Sequence, residues 1–262
     1  MLEEKLLNYQ YQKAPRLEGG QTQTLVLLHG LFGDLNNLGG IARAFAQHYN
    51  ILRIDLRNHG QSFHSNEMDY PLMAQDIDEL LTYLQIEQAI VVGHSMGGKT
   101  AMMFTHLFPK RVAKLIVIDI APVEYTQNRH ETVFQALFAV KNAKPKTRQQ
   151  AQSLMSEYIQ SQATQQFMLK SFDPNREEYF KFNLSALKHN YSTIMGWQAV
   201  AVEKPTLFIK GELSDYLQKS DTNRVLAQFP NAKLFVVSNA DHWVHAEKAE
   251  TVVRAIQRFL SE

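Results

Sequence analysis

The sequence predicts an α/β protein: a mostly parallel sheet with helices on both faces and an inserted helical cap. Three observations predict it. Six short runs dominated by apolar residues, TLVLLHG (24–30), ILRIDL (51–56), AIVVG (89–93), KLIVIDI (114–120), TLFIKG (206–211) and KLFVVS (233–238), have the length and character of strands buried on both faces. Amphipathic segments separate them, which is the alternation of a parallel sheet covered by helices. That alternation then stops between positions 124 and 202, where no strand-like run occurs.

Taken in order, residues 6–14 read as an added edge strand, with the Gly-Gly at 19 and 20 as a turn. LNNLGGIARAFAQHY, PLMAQDIDELLTYL and MGGKTAMMFTHLF follow the first, second and third apolar runs and repeat apolar residues every three or four positions, as core-facing helices do. DTNRVLAQF and KAETVVRAIQRFL do the same near the end. The interruption reads as several helices, among them HETVFQALFAV and TRQQAQSLMSEYIQSQATQQFMLKSF. It is too long for a plain loop and therefore predicts a cap. The expected organisation is a core of residues 1–123 and 203–262 with a cap of 124–202. Ligands of open α/β sheets bind outside the carboxyl ends of the strands, so a cap there roofs the binding site.

Composition narrows the function. The 262 residues carry 27 Lys and Arg against 26 Asp and Glu, a net charge of +1 with no long basic run, so there is no electrostatic footprint for nucleic acid. Cysteine is absent, which excludes disulfides, a thiolate nucleophile and a thiolate zinc site. Asp76 and Asp78 share a helix with no histidine partner, so no metal site is expected there. The N-terminal MLEEKLLNYQYQK has no apolar stretch of signal-peptide or membrane-span length, and a cytoplasmic location without integral membrane association is the default expectation. Nothing in the pattern indicates an oligomeric state.

The chemistry gathers around Gly93-His94-Ser95-Met96-Gly97, a G-x-S-x-G motif between an apolar run and a helix. Small residues at 93 and 97 permit a sharp turn that lifts the Ser95 hydroxyl clear of the sheet. Chance produces this pattern on the order of 0.03 times per chain, so a mere turn is the weaker reading. A serine hydroxyl needs a base, a group orienting the base, and donors for the oxyanion. His242 follows the last strand in NADHWVHAEK and completes the chain order nucleophile, acid, histidine; His245 instead reads as fixing the loop or helix start. The oxyanion donors are expected to be the N–H of Met96 and, from the loop after TLVLLHG, the N–H of Leu31, with Phe32 as the alternative. Arg57, His59 and Ser62 read as holding a neighbouring loop, and Lys99 as a solvated helix lysine.

LLHGLFGDLNNLG, IDLRNHGQS, VVGHSMGGK, VIDIAPVEY and DHWVHAEK occur in this order over nearly the whole chain. In that order and spacing the sequence resembles the α/β-hydrolase superfamily, and within it the small bacterial YbfF-like esterases. The resemblance implies a serine esterase acting on a small-molecule acyl ester or thioester, without metal or organic cofactor. In most members the triad acid is an Asp three residues beyond a glycine, after the strand that follows the cap. Here Ser214 stands at that spacing after Gly211 and Asp215 is displaced by one. Asp119, at the carboxyl end of KLIVIDI, is the alternative, and position and resemblance together favour it over Asp215. Phe32 and the cap aromatics Phe134, Phe138, Phe172 and Trp197 are the expected acyl-binding residues. Two other readings share this scaffold: an acyltransferase using the same triad, and a noncatalytic binding protein.

Overall fold

A computed structural model describes residues 6–15 and 22–262. Strand β1 (Tyr9–Gln12) is followed by β2 (Thr24–Leu28), α1 (Gly39–Phe45), β3 (Asn50–Ile54), α2 (Tyr70–Tyr83), β4 (Ala89–His94), α3 (Met96–Leu107) and β5 (Val112–Ile118). Five helices come next: α4 (Glu131–Ala143), α5 (Arg148–Ser156), α6 (Gln162–Leu169), α7 (Leu184–His189) and α8 (Tyr191–Met195). The chain then returns to the sheet with β6 (Thr206–Gly211), α9 (Thr222–Gln228), β7 (Ala232–Val237), α10 (Val244–Glu247) and α11 (Ala249–Leu260). The Gly-Gly at 19 and 20 lies outside the described residues. Among the described residues no helix is long and apolar enough to cross a membrane.

The seven strands run in the order β1-β3-β2-β4-β5-β6-β7, with β1 antiparallel to β3 and every other pair parallel. Side chains alternate across the central strands, so the sheet separates two apolar layers. Val26, Leu28, Val91, Leu115 and Val117 point into the layer shared with α2 and α3, and helices α4 to α8 extend that layer through Phe134, Leu137, Met155 and Leu187. Leu25, Leu27, Ile90, Val92, Ile116 and Ile118 point the other way, against α1 and α11. This two-sided demand for apolar residues is why the central runs carry almost no polar positions.

Two expectations about the elements are corrected. Strand β7 is not buried on both faces: it closes the sheet at its edge, and Leu234 and Val236 are 60% and 46% exposed. The segment TRQQAQSLMSEYIQSQATQQFMLKSF, read as one helix, is two, because the chain breaks after Ser156 and Ser161 starts α6 by accepting from the Thr164 N–H at 3.2 Å.

Lys99 corrects a third. One turn into α3, it is 1% exposed, and its Nζ donates to the carbonyls of Met195 and Gly196 at 3.2 and 3.0 Å. The ammonium lies over Tyr125 at 4.7 Å and within 5.7 Å of Tyr70 and Trp197. These contacts fasten the end of α8 to the core. Burial brings the Lys99 amine down from 10.5 to about 7, with Glu124 opposing. Above pH 7 the folded chain releases this proton while an unfolded lysine still holds it, so the stability contributed here rises with pH until about 10.5. Unfolding free energies of wild type and Lys99→Met from urea titrations are expected to diverge in favour of the wild type from pH 7 to 9, by up to about 1.4 kcal/mol per pH unit. A flat or opposite trend would contradict a neutralisable buried amine.

Candidate active site

The site forms where β4 stops. Gly93 and Gly97 allow the turn: a Cβ at Gly93 would meet the Gly97 carbonyl oxygen at 2.1 Å, and one at Gly97 would meet the Leu28 and His29 carbonyls at 2.4 Å. Between them Ser95 takes φ 54°, ψ −121°, a conformation rarely adopted by a side-chain-bearing residue and costing about 1–3 kcal/mol. Its N–H donates to the Ile118 carbonyl at 3.0 Å and its own carbonyl accepts from Gly98 at 2.8 Å, which hold the strained turn in place.

Ser95 Oγ lies 3.0 Å from His242 Nε2, and His242 Nδ1 lies 2.8 Å from Asp119 Oδ2. The histidine sits on the loop between β7 and α10. Its ring stacks on Tyr216 with centroids 3.8 Å apart, and its carbonyl lies 3.0 Å from His94 Nε2. Asp119 also has a positive φ, 52°, and is wholly buried. Its carboxylate accepts from the Gly211 N–H at 2.8 Å, from the Ser214 hydroxyl and from His242, so a charge-bearing group out of contact with water has donors on both oxygens.

Asp215 is elsewhere. Its carboxylate pairs with Arg129 at 2.6 Å and is 61% exposed, and the hydrogen bond from that guanidinium holds the carboxyl below its usual range. The residue at the family's usual acid position, Ser214, lies against Asp119 and donates to it. Spacing alone marked Ser214 as occupying an acid's place; its partner becomes visible only when β5 and β6 are side by side. His245 does not reach Ser95. Its ring packs on His94 at 4.2 Å, burial pushes it down to about 3, and its Nδ1 has no partner among the described residues.

The loop after β2 approaches Ser95 closely, since a Cβ on Gly30 would lie 3.3 Å from the Ser95 Cβ. Two buried histidines set this loop. His29 Nδ1 lies 2.8 Å from the Gly30 carbonyl, while its Nε2 accepts from the Leu56 N–H at 3.0 Å. His59 Nδ1 lies 2.9 Å from the Arg57 carbonyl, while its Nε2 accepts from the Phe32 N–H at 3.2 Å. Burial, with His29 adding to it, pushes His59 down to about 3, so the imidazole stays neutral and able to accept. The Phe32 N–H is thereby occupied. The Leu31 N–H and the Met96 N–H at the start of α3 have no acceptor among the described residues. Arg57 itself is held by Asp76 at 2.6 Å, and Ser62 bonds the Asn8 N–H and the Asp55 carbonyl.

A cavity of about 510 Å³ opens over Ser95 and His242. Of the aromatic residues expected there, only Phe32 lines it. Phe134 packs edge-on to Phe32 and Tyr191 behind the wall, Phe138 lies beneath Lys141, Phe172 pairs with Phe180, and the Trp197 indole donates to Gln228 at 2.8 Å beside Lys99. Helical aromatics at core spacing were used for packing, the commoner use of that pattern. The apolar walls are instead Val133, Phe167, Met168 and Trp243, and the polar ones include Arg129 and His130. Arg129, His130 and Tyr216 were not anticipated, because nothing local to them distinguishes a cavity wall from an exposed loop.

A strained serine after β4, the central strand of the seven, a histidine beyond the last strand and a cavity at the carboxyl strand ends define a protein class, and a model of the alpha/beta hydrolase fold matches residues 23–249. The chain belongs to that family. It is 52% identical over its full length to a putative esterase/lipase of Haemophilus influenzae, covering 91% of that protein, and 44% identical to Escherichia coli esterase YbfF over 91% of this chain and 93% of that one. Mouse sn-1-specific diacylglycerol lipase ABHD11 is 36% identical over 94% of this chain and 83% of its own length. A solved marine microorganism esterase, 34% identical, superposes with a TM-score of 0.89 over 97% of this chain and 99% of that one.

Reactivity of Ser95 toward a fluorophosphonate is expected to separate the two carboxylates. Asp119→Asn should slow labelling by about 10³-fold or more, as loss of the group orienting an imidazole does, and Asp215→Asn by no more than a few-fold. Ser214→Ala, which removes one neutral donor to Asp119, should fall between at about tenfold. The reverse ranking of the two aspartates would place the orienting acid after β6.

Proposed function

We propose that this protein is a serine esterase that hydrolyses carboxylic esters, and thioesters by the same steps, through an acyl-enzyme on Ser95. The observation that carries the reading is the continuous hydrogen-bonded line Ser95, His242, Asp119 opening into a cavity, with the N–H groups of Leu31 and Met96, which have no acceptor among the described residues, in the adjoining loop and helix start. The names of the relatives, esterase and lipase, point to the same chemistry.

Ser95 Oγ attacks the acyl carbon while its proton passes to His242 Nε2, and Asp119 stabilises the imidazolium at Nδ1. The carbonyl oxygen takes up the negative charge and is held by the N–H groups of Leu31 and Met96. Collapse of the tetrahedral species breaks the bond to the alcohol or thiol, which leaves with the proton from His242. Water then repeats the sequence at the acyl-enzyme, losing a proton to His242 as it attacks and regenerating Ser95 as the acid departs.

Residues 124–202 act in this reading as a cap on a core of 1–123 and 203–262, with α4 and α6 supplying Val133, Phe167 and Met168 to the cavity. Apolar walls of this kind bind an acyl chain, each buried methylene contributing about 0.8 kcal/mol.

Two measurements test the proposal. Fluorophosphonate labelling and turnover of p-nitrophenyl butyrate are both expected to vanish in Ser95→Ala, with the thermal midpoint retained; near wild-type turnover by that variant would remove Ser95 from the mechanism. Across p-nitrophenyl esters from acetate upward, kcat/KM is expected to rise by about three- to fourfold per methylene until the cavity fills. A profile falling steadily from acetate would mean that the walls hold no acyl chain.

A further inference from the structure

His130 lines the same cavity as Ser95 and His242, yet the steps above leave it without a task. Its ring is edge-on to Phe32, with centroids 6.1 Å apart, and to Tyr191, at 5.6 Å. His130 Nδ1 lies 2.7 Å from the Tyr191 phenolic oxygen. Either group can be the donor at that distance, and the chemistry of the two decides between them. Burial pushes the Tyr191 phenol up to about 12, so it keeps its proton. A phenol is the stronger donor and an imidazole nitrogen the stronger acceptor, so the phenol directs its proton at Nδ1. Nδ1 is therefore the acceptor, and the single proton of the neutral imidazole resides on Nε2. Neutrality follows from position: burial, reinforced by His242 and Arg129, brings His130 down to about 4. His130 Nε2 has no protein partner among the described residues and is not sealed off. A fixed donor is left open in the cavity wall.

We propose that His130 is a specificity-determining residue whose Nε2–H, fixed by Tyr191, donates a hydrogen bond to a neutral oxygen on the alcohol portion of the ester. The assignment rests on the serine esterase reading. The side of the cavity indicates which part of the substrate is met. Arg129, adjacent to His130 in the chain, lies over Tyr216 at 4.5 Å, and Tyr216 stacks on His242. His130 adjoins this Arg129–Tyr216–His242 side of the cavity, and because His242 protonates the leaving oxygen, the proposal places the alcohol portion there. A neutral imidazole suits a hydroxyl, ether or carbonyl oxygen and makes no demand for charge.

Glycerol 1-monobutyrate and propyl butyrate share an acyl group and a three-carbon alcohol and differ in two hydroxyls. The ratio of their kcat/KM values in the wild type is expected to exceed that in His130→Phe, which occupies similar space without a donor, by about fivefold. Tyr191→Phe, which removes the lock on the tautomer, should lose part of the same preference. A role for His130 in packing alone would affect both esters alike and leave the ratio unmoved, and that result overturns the proposal. If His130→Phe does not fold, an unchanged ratio in Tyr191→Phe overturns it as well. Fluorophosphonate labelling keeps the two readings apart: wild type that is not labelled at Ser95 defeats the esterase reading, whereas labelled wild type with the ratio of His130→Phe defeats only the role of His130.

Discussion

Asp119 carries a carboxylate with no exposure to water, and both of its oxygens must find donors inside the protein. Those donors come from different parts of the chain: the Gly211 N–H at the end of β6, the Ser214 hydroxyl just beyond it, and His242 after β7. Satisfying one buried group therefore aligns the carboxyl ends of β5, β6 and β7 and sets the direction of the imidazole. If β6 or the β7 loop shifted, a buried carboxylate would lose a partner, a penalty of several kcal/mol when the group is charged. The positive φ of Asp119 belongs to the same constraint, since it turns the side chain from the sheet toward the loop that holds His242.

Ser95 meets a comparable constraint from the other side of β5. Its backbone strain is held by the Ile118 carbonyl, one residue before Asp119, so Ser95 and Asp119 are tied to the same strand end. Phe32, with φ 65°, bends the loop after β2 over this point, and His59 accepts its N–H. Three strained positions thus converge where the reacting groups are proposed to meet. Strain of this kind persists only where surrounding hydrogen bonds over-determine it, and each of these positions has such bonds.

The helices between β5 and β6 are joined to the core by polar as well as apolar contacts. Lys99 and Tyr70 bond the carbonyls at the end of α8, and the Tyr125 N–H shares the Met195 carbonyl. Most aromatic bulk in this segment serves the same attachment: Phe180 and Phe182 stack on one another, and Phe134 supports Phe32 from behind. Only a few side chains are left for the cavity. Of the polar ones, Ser161 and Thr164 stand at the start of α6, while Arg129 and His130 lie in the stretch leading into α4, where the chain has left the sheet but has not yet begun its helix.

Much of this architecture was determined by the sequence alone. Runs such as AIVVG and KLIVIDI are apolar because both faces of a central strand are covered, and a glycine-flanked serine after such a run marks a turn whose tight backbone admits few other residues. The place of His242 was legible for a similar reason, because chain order and the last strand restrict where a histidine can meet that serine. Only the tertiary structure shows that Asp119 rather than Asp215 lies against His242, since both follow strands and the difference is a through-space distance to His242 Nδ1. It also decided that Lys99 is buried, that β7 is an edge, and that Phe134, Phe138, Phe172 and Trp197 pack in or against the core while Phe167 and Trp243 line the cavity. Periodicity records which residues must leave water; which neighbour each one meets is settled by how distant segments pack.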